Sequence, residues 1–351
     1  MQLRSRIISL LLLVAASIFF VIVGCGGGGG NGGTSTGGTT PTTPTTPTTP
    51  TTPPFTVPQG ITVRIAKIET FNCPEVTALV SVTDNQSGAA IKNLTEQNFQ
   101  VTGGTGTVLP LTGFLEQAVT EPIVFSLAMD YSLSLEDTDV TAMEDATIGF
   151  LQEFYLSTTP ESWGELIKFS IPIEVMQDFT TDENLLVAAV RAPFAGRDPS
   201  IKGTALYDAI GKALEDIVAF RTGPGAPANI PSQSFAIVLT DGIDNFASQK
   251  YDSNSLIDYA NTYNIKIVTI GFGANTDPAI LYDLANETGG LYIPADDSGD
   301  LSSSLSTFLD SLGNYYFLTF DDPGAGQQVI TVDVTTPDGL TGSDALDYQC
   351  P

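Results

Sequence analysis

The amino-acid sequence predicts an α/β domain on a mostly parallel sheet, inserted between two flanking β segments that fold together as a β-sandwich-like domain. Two observations carry that expectation. From Pro122 to Leu312, short apolar runs alternate with stretches of helical period, the pattern of strand–helix–strand units. On both sides of this block the period drops to two, at Val76, Ala78, Val80 and Val82 on one flank and at Ile330, Val332 and Val334 on the other. Alternation of that kind marks half-buried strands.

Taken in chain order, Arg4 and Arg6 precede an apolar run from Ile7 to Val23, and no acidic residue stands before Glu69. Residues 1–24 therefore read as an export signal. The run is 17 residues long, the short limit for a membrane-spanning helix, so length alone leaves a retained anchor open. The stretch "VIVGC", Val21–Cys25, resembles the lipobox of bacterial lipoproteins. That resemblance implies cleavage before Cys25 and acyl chains on its sulfur, enough buried methylenes for stable membrane anchoring. Gly26 stands where an aspartate is associated with inner-membrane retention, which points to the outer membrane or the cell surface. Residues 25–60 are Gly-rich, then Thr-Thr-Pro repeats, without a charge. No core can form from them; they read as a tether that reaches roughly 50 Å over its Pro-rich part.

An N-terminal β segment is expected over residues 61–118, with "DNQSGAAIKNLTEQNFQV" (84–101) carrying the turn chemistry of a β meander. In the central block, 121–313, the strand candidates are "IVFSLAM" (123–129), "ELIKFS" (165–170), "SFAIVLT" (234–240), "IKIVTIGF" (265–272) and "LYI" (291–293). Leu206, Ile210, Leu214 and Ile217 make one helical stripe, and Asp277 followed by Pro278 is a helix start. A C-terminal β segment, 314–351, is expected to pack with 61–118. Cys73 and Cys350 are an even pair in an exported chain. A disulfide between them would tie the two flanks together and contribute up to about 5 kcal/mol through loop entropy. The alternative is two separate flanking modules with unrelated cysteines.

Composition removes whole classes of function. Histidine is absent, so Ser-His-Asp and Cys-His nucleophiles and imidazole zinc sites are excluded. With Arg4 and Arg6 cleaved off, 11 basic residues face 40 acidic ones, a net charge of −29. Nucleic acid and anionic headgroups are poor partners for such a surface, whereas divalent cations are attracted to it.

One short stretch supplies positive chemistry. "AMDYSLS" (128–134) leaves an apolar strand and sets Asp130, Ser132 and Ser134 at every second position. Two other junctions bring the same kind of oxygen: "KGTALYDAI" (202–210) places Thr204 just before a helix, and "IVLTDGIDN" (237–245) places Asp241 where a strand stops. Singly, each has an ordinary explanation as a helix cap or an Asp-Gly turn. Together they offer five hard oxygen donors, two carboxylates and three hydroxyls, which suits Mg²⁺, Mn²⁺ or Ca²⁺. Asp244 and Asn245 read either as turn residues, the favoured reading, or as supports behind the metal residues; Tyr131 and Leu133 read as packing, with Tyr131 lining the ligand surface as the alternative.

Here the sequence resembles the von Willebrand factor type A (VWA) domain and its metal-ion-dependent adhesion site (MIDAS), an Asp-x-Ser-x-Ser motif with a distant Thr and a distant Asp. Asp130, Ser132, Ser134, Thr204 and Asp241 match it in order, over about residues 121–313. The resemblance implies a doubly wound, Rossmann-like sheet with one antiparallel edge strand, for which "IPIEVMQDF" (171–179) is the candidate. It also implies that the serine and threonine hydroxyls and the aspartates hold the metal, and that a protein partner supplies an acidic side chain to it. The function expected is thus metal-dependent protein binding by a membrane-tethered lipoprotein rather than an enzyme. A structural part of an envelope complex, stabilised by the metal, is the alternative; a hydrolase using a pair such as Asp241 and Asp244 is a weaker one.

Overall fold

The computed structural model describes residues 55–350 apart from 119–120, 158–161, 201, 228–230, 232, 247, 249, 274–275, 323 and 325. The export segment, Cys25 and the linker as far as residue 54 lie outside the described residues. Among the described residues no helix is long and apolar enough to cross a membrane.

The N-terminal flank contributes β1 (Ile61–Asn72), β2 (Glu75–Asp84), β3 (Phe99–Gly103), β4 (Val108–Leu109) and β5 (Leu111–Ala118). The central block follows as β6 (Ile123–Asp130), α1 (Asp137–Ser157), β7 (Trp163–Phe169), β8 (Ile173–Thr180), α2 (Glu183–Arg191), α3 (Leu206–Thr222), β9 (Gln233–Thr240), α4 (Ser253–Thr262), β10 (Lys266–Phe272), α5 (Pro278–Asn286), β11 (Leu291–Ala295) and α6 (Leu301–Gly313). The C-terminal flank is β12 (Asn314–Asp321), β13 (Gln327–Thr335) and β14 (Thr341–Gln349).

The central sheet runs β11-β10-β9-β6-β7-β8. Its strands pair in parallel except for β8, which runs antiparallel to β7 at the edge. Both faces are covered, and the period of two along β6 divides the core accordingly. Ile123, Phe125, Leu127 and Met129 pack with α1, α2 and α6; Val124 and Ala128 pack with α3, α4 and α5. The stripe Leu206, Ile210, Leu214 and Ile217 lies buried in that second core, each side chain contributing about 1.5–3 kcal/mol by its removal from water. This is the doubly wound α/β sheet with an antiparallel edge.

The flanks form two more sheets, β1-β2-β12-β5 and β14-β13-β3-β4. Each sheet combines strands from both flanks, β12 lying between β2 and β5 in one and β13 pairing with β3 in the other, and their inner faces share one core that includes Val63, Val80, Val101, Tyr316, Ile330 and Val332. A disulfide joins Cys73, at the β1–β2 turn, to Cys350 after β14, with the Cα atoms 5.9 Å apart.

One expectation fails in this part of the molecule. Residues 84–101 are not a meander: β2 and β3 belong to different sheets, and the segment carries the chain from one sheet to the other. Asn93 adopts φ 62°, Leu94 is buried, and Thr95 and Asn98 bond each other's ends around a 3-10 turn. Turn-forming residues were thus read correctly as turns, but the burial of Leu94 between the sheets decides where the chain goes next.

Candidate metal centre

The direction of winding reverses between β6 and β9, which are neighbours in the sheet although α1, β7, β8, α2 and α3 separate them in sequence. At such a switch point the loops leaving the carboxyl ends of the two strands diverge and open a crevice. β6 ends on Asp130 and β9 on Thr240, so Asp130 and Asp241 meet at this crevice.

The short loop after β6 turns on Asp130 itself. Its Oδ1 accepts a hydrogen bond from Ser132 N at 2.8 Å, and its Oδ2 accepts one from Thr240 Oγ1 at 2.7 Å. Those bonds fix the carboxylate and aim the two serines at the β9 loop. Ser132 Oγ and Ser134 Oγ are 2.9 Å apart, and Asp241 Oδ1 accepts from Ser134 Oγ at 3.0 Å and from Ser132 Oγ at 3.4 Å. Ser134 therefore caps no helix. The threonine arrives from a third segment: a Cβ placed on Gly242 would lie 3.4 Å from Thr204 Oγ1 and 3.8 Å from Asp130 Oδ2. All five candidate residues stand together, and four of them are buried; Ser134 alone faces solvent.

Thr204 is held there by Asn245. Asn245 Oδ1 accepts from Thr204 N at 2.8 Å, and Asn245 N donates to Thr204 O at 3.1 Å. Beside it, Asp244 Oδ1 accepts from Tyr207 N in the first turn of α3 at 3.1 Å. Of the two readings open for Asp244 and Asn245, these bonds favour the supporting role over the plain turn: they brace the Thr204 loop against the β9 loop. Gly203 adopts φ 141°, and a Cβ there would meet Asn245 Oδ1 at 2.9 Å, so both the backbone angle and the clamp require glycine. α3 itself begins at Leu206 after Ala205, which makes no side-chain cap, so Thr204 does not serve as the helix cap.

Further residues missed in the sequence support the β6 loop from behind. Arg197 donates to Ser132 O at 3.2 Å, Leu135 O at 2.8 Å and Asp137 Oδ1 at 2.9 Å. Tyr131 is buried, its hydroxyl donating to Glu144 at 2.8 Å and its ring lying 4.4 Å from Lys168 Nζ. Lys168 in turn donates to Val190 O and Ala192 O at 2.7 Å each, at the end of α2 where helix carbonyls favour a cation. Burial lowers its pKa to about 8, against the pull of Glu144. Tyr131 packs as expected; Leu133 does not, being 37% exposed. Leu133 lies in the turn beyond the end of β6, where the serines on either side of it engage Asp241.

The electrostatics of the crevice favour a cation. Asp130 is fully buried, and burial followed by the charge of Asp241 pushes its pKa up to about 7. Burial also raises Asp241. Among the described residues neither carboxylate forms an ion pair with a lysine or arginine. Two buried carboxylates without a basic partner, lined by hydroxyls and free of sulfur or imidazole, fit a hard divalent ion.

A family model of the von Willebrand factor type A domain matches residues 125–307, just over half of the chain. The chain belongs to the von Willebrand factor type A domain family. Solved structures similar to this VWA chain include proximal thread matrix protein 1 from the mussel byssus, at 15% identity and a TM-score of 0.46, covering 56% of this chain and 49% of that one. The same mussel protein has been solved with a zinc-occupied MIDAS motif, at 16% identity and a TM-score of 0.44, with 56% and 49% covered. A von Willebrand factor type A protein from Catenulispora acidiphila is 14% identical, covering 84% of this chain and 74% of that one at a TM-score of 0.44. The chain thus spans about half the length of the mussel protein. No curated protein sequence matches it.

Proposed function

We propose that this VWA chain binds a protein partner through a divalent cation held by Asp130, Ser132, Ser134, Thr204 and Asp241. The observation that carries the reading is the convergence of these oxygens from three loops, with Ser132 and Ser134 Oγ both within hydrogen-bonding reach of Asp241 Oδ1. When bound, the metal would supply a positive centre able to hold a carboxylate from outside. The chain's own residues do the rest. Asp130 and Asp241 provide charge, three neutral hydroxyls fill further positions without cancelling the ion's charge, and Asn245 and Arg197 keep the loops in place. Exposure of Ser134 leaves the site open on one side.

The all-oxygen donor set favours magnesium or manganese, with calcium next, over zinc, which prefers nitrogen and sulfur. No catalytic role is assigned. Asp241 and Asp244, the carboxylate pair weighed as an acid and base, are engaged by the serines and by Tyr207 N. In the same reading Cys25 carries a lipid anchor and residues 25–60 tether the folded body to the cell envelope, at the outer membrane or the cell surface. Capture of a partner from native envelope extracts tests the function. Retention should require magnesium, and both EDTA and Thr204→Ala should abolish it. If magnesium stabilises the protein but neither treatment changes what is retained, the metal is structural and the partner docks elsewhere.

A further inference from the structure

Three large apolar side chains stand exposed on the very loops that carry the metal residues: Leu133 at 37%, Ile243 at 51% and Phe246 at 38%. Leu133 lies between Ser132 and Ser134; Ile243 and Phe246 follow Asp241 by two and five residues. None belongs to a hydrophobic core. Isolated exposed apolar residues are ordinary, but three around one open polar centre form a contact rim. Outside it acidic side chains outnumber basic ones: Arg197, paired with Asp137, and the exposed Lys202 are set against Glu136, Asp139 and Asp297. Glu136 is exposed two residues past Ser134, and its backbone N–H bonds to Asp139, whose other oxygen accepts from Ser298 at 2.8 Å. That bond brings the exposed Asp297, in the loop before α6, to the same side.

A metal centre, an apolar rim and an acidic surround select for different things. The metal takes one carboxylate. The rim gains from apolar neighbours of that carboxylate, since a bare acidic side chain would leave Ile243 and Phe246 in water. The surround repels a second carboxylate and attracts basic groups. We propose that the partner presents a single glutamate or aspartate between apolar side chains, with lysine or arginine beyond them, and that Leu133, Ile243 and Phe246 receive the apolar neighbours. The proposal rests on the metal reading above and adds which partner surface the site accepts.

Synthetic peptides test it with the magnesium-loaded protein, read by fluorescence anisotropy alongside calorimetric magnesium uptake. Lys-Lys-Leu-Glu-Leu-Lys-Lys should bind about tenfold or more tightly than its versions with Leu replaced by Ser, or the outer Lys by Glu, the gain expected from burying apolar groups and pairing charge. Replacement of the central Glu by Gln should abolish the magnesium dependence. The triple variant Leu133→Ser, Ile243→Ser, Phe246→Ser should take up magnesium as the wild type does, yet lose the preference for Leu over Ser. Normal magnesium uptake with equal affinity for the peptides, or with no binding of any, overturns this proposal alone. Failure of the wild type to take up magnesium removes the metal reading and this proposal with it.

Discussion

Asp130 accepts backbone and hydroxyl hydrogen bonds at both oxygens while fully buried beside Asp241. In the metal-free protein its charge is opposed by burial and by its neighbour, so function and stability pull against each other there. Asp130→Asn keeps the shape and can still accept from Ser132 N. In EDTA at neutral pH this variant should melt about 2–4 °C above the wild type, the shift that a gain near 1 kcal/mol produces. On adding magnesium the wild type should gain stability and the variant should not; a variant less stable than wild type in EDTA would show that the carboxylate is needed by the fold itself. The five candidate metal residues were legible as a group because each is a carboxylate or hydroxyl at a strand or helix junction. Thr240 and Arg197 were not, because their importance lies in bonds that cross 110 and 65 positions of sequence and no local pattern marks them; Asn245 could be read either as a turn residue or as a support until its bonds to Thr204 decided.

Among the elements, β7 and α3 meet at a buried charge of a different kind. Glu165 on β7 accepts a hydrogen bond from Ser126 on β6 and faces Asp216 and Lys212 on α3. Burial, then the charge of Asp216, raises its pKa from 4.5 to about 8. Between those values the folded protein keeps a proton that the unfolded chain has released, so this group makes stability fall as pH rises through that window. Urea midpoints measured from pH 5 to 8 should decline in the wild type, and Glu165→Gln should flatten the decline; an unchanged slope would mean that Lys212 already neutralises the site. The elements themselves were largely visible as periods in the sequence, including the buried strands and the α3 stripe. The course of residues 84–101 was not, since turn residues announce a turn without saying which sheet the chain enters next.

The molecule as a whole joins two chain ends into one sandwich around an inserted VWA domain. The Cys73–Cys350 disulfide closes 277 residues, the arrangement in which a cross-link most restricts the unfolded chain. Cys350→Ser should lower stability by about 2–5 kcal/mol in denaturant titrations, whereas an unchanged midpoint would mean that the shared core of the two flanks suffices. The inserted arrangement was readable from the two flanks of period two, but the division of each flank's strands between both sheets was not, because pairing partners depend on which apolar faces meet. Every feature of the proposed function returns to one centre, and a crystal grown with manganese and measured at the manganese absorption edge examines it directly. The account predicts an anomalous peak beside the hydroxyls of Ser132 and Ser134, between the Asp130 and Asp241 carboxylates. A crevice without a peak, in a crystal where manganese marks only exposed acidic side chains, would contradict it.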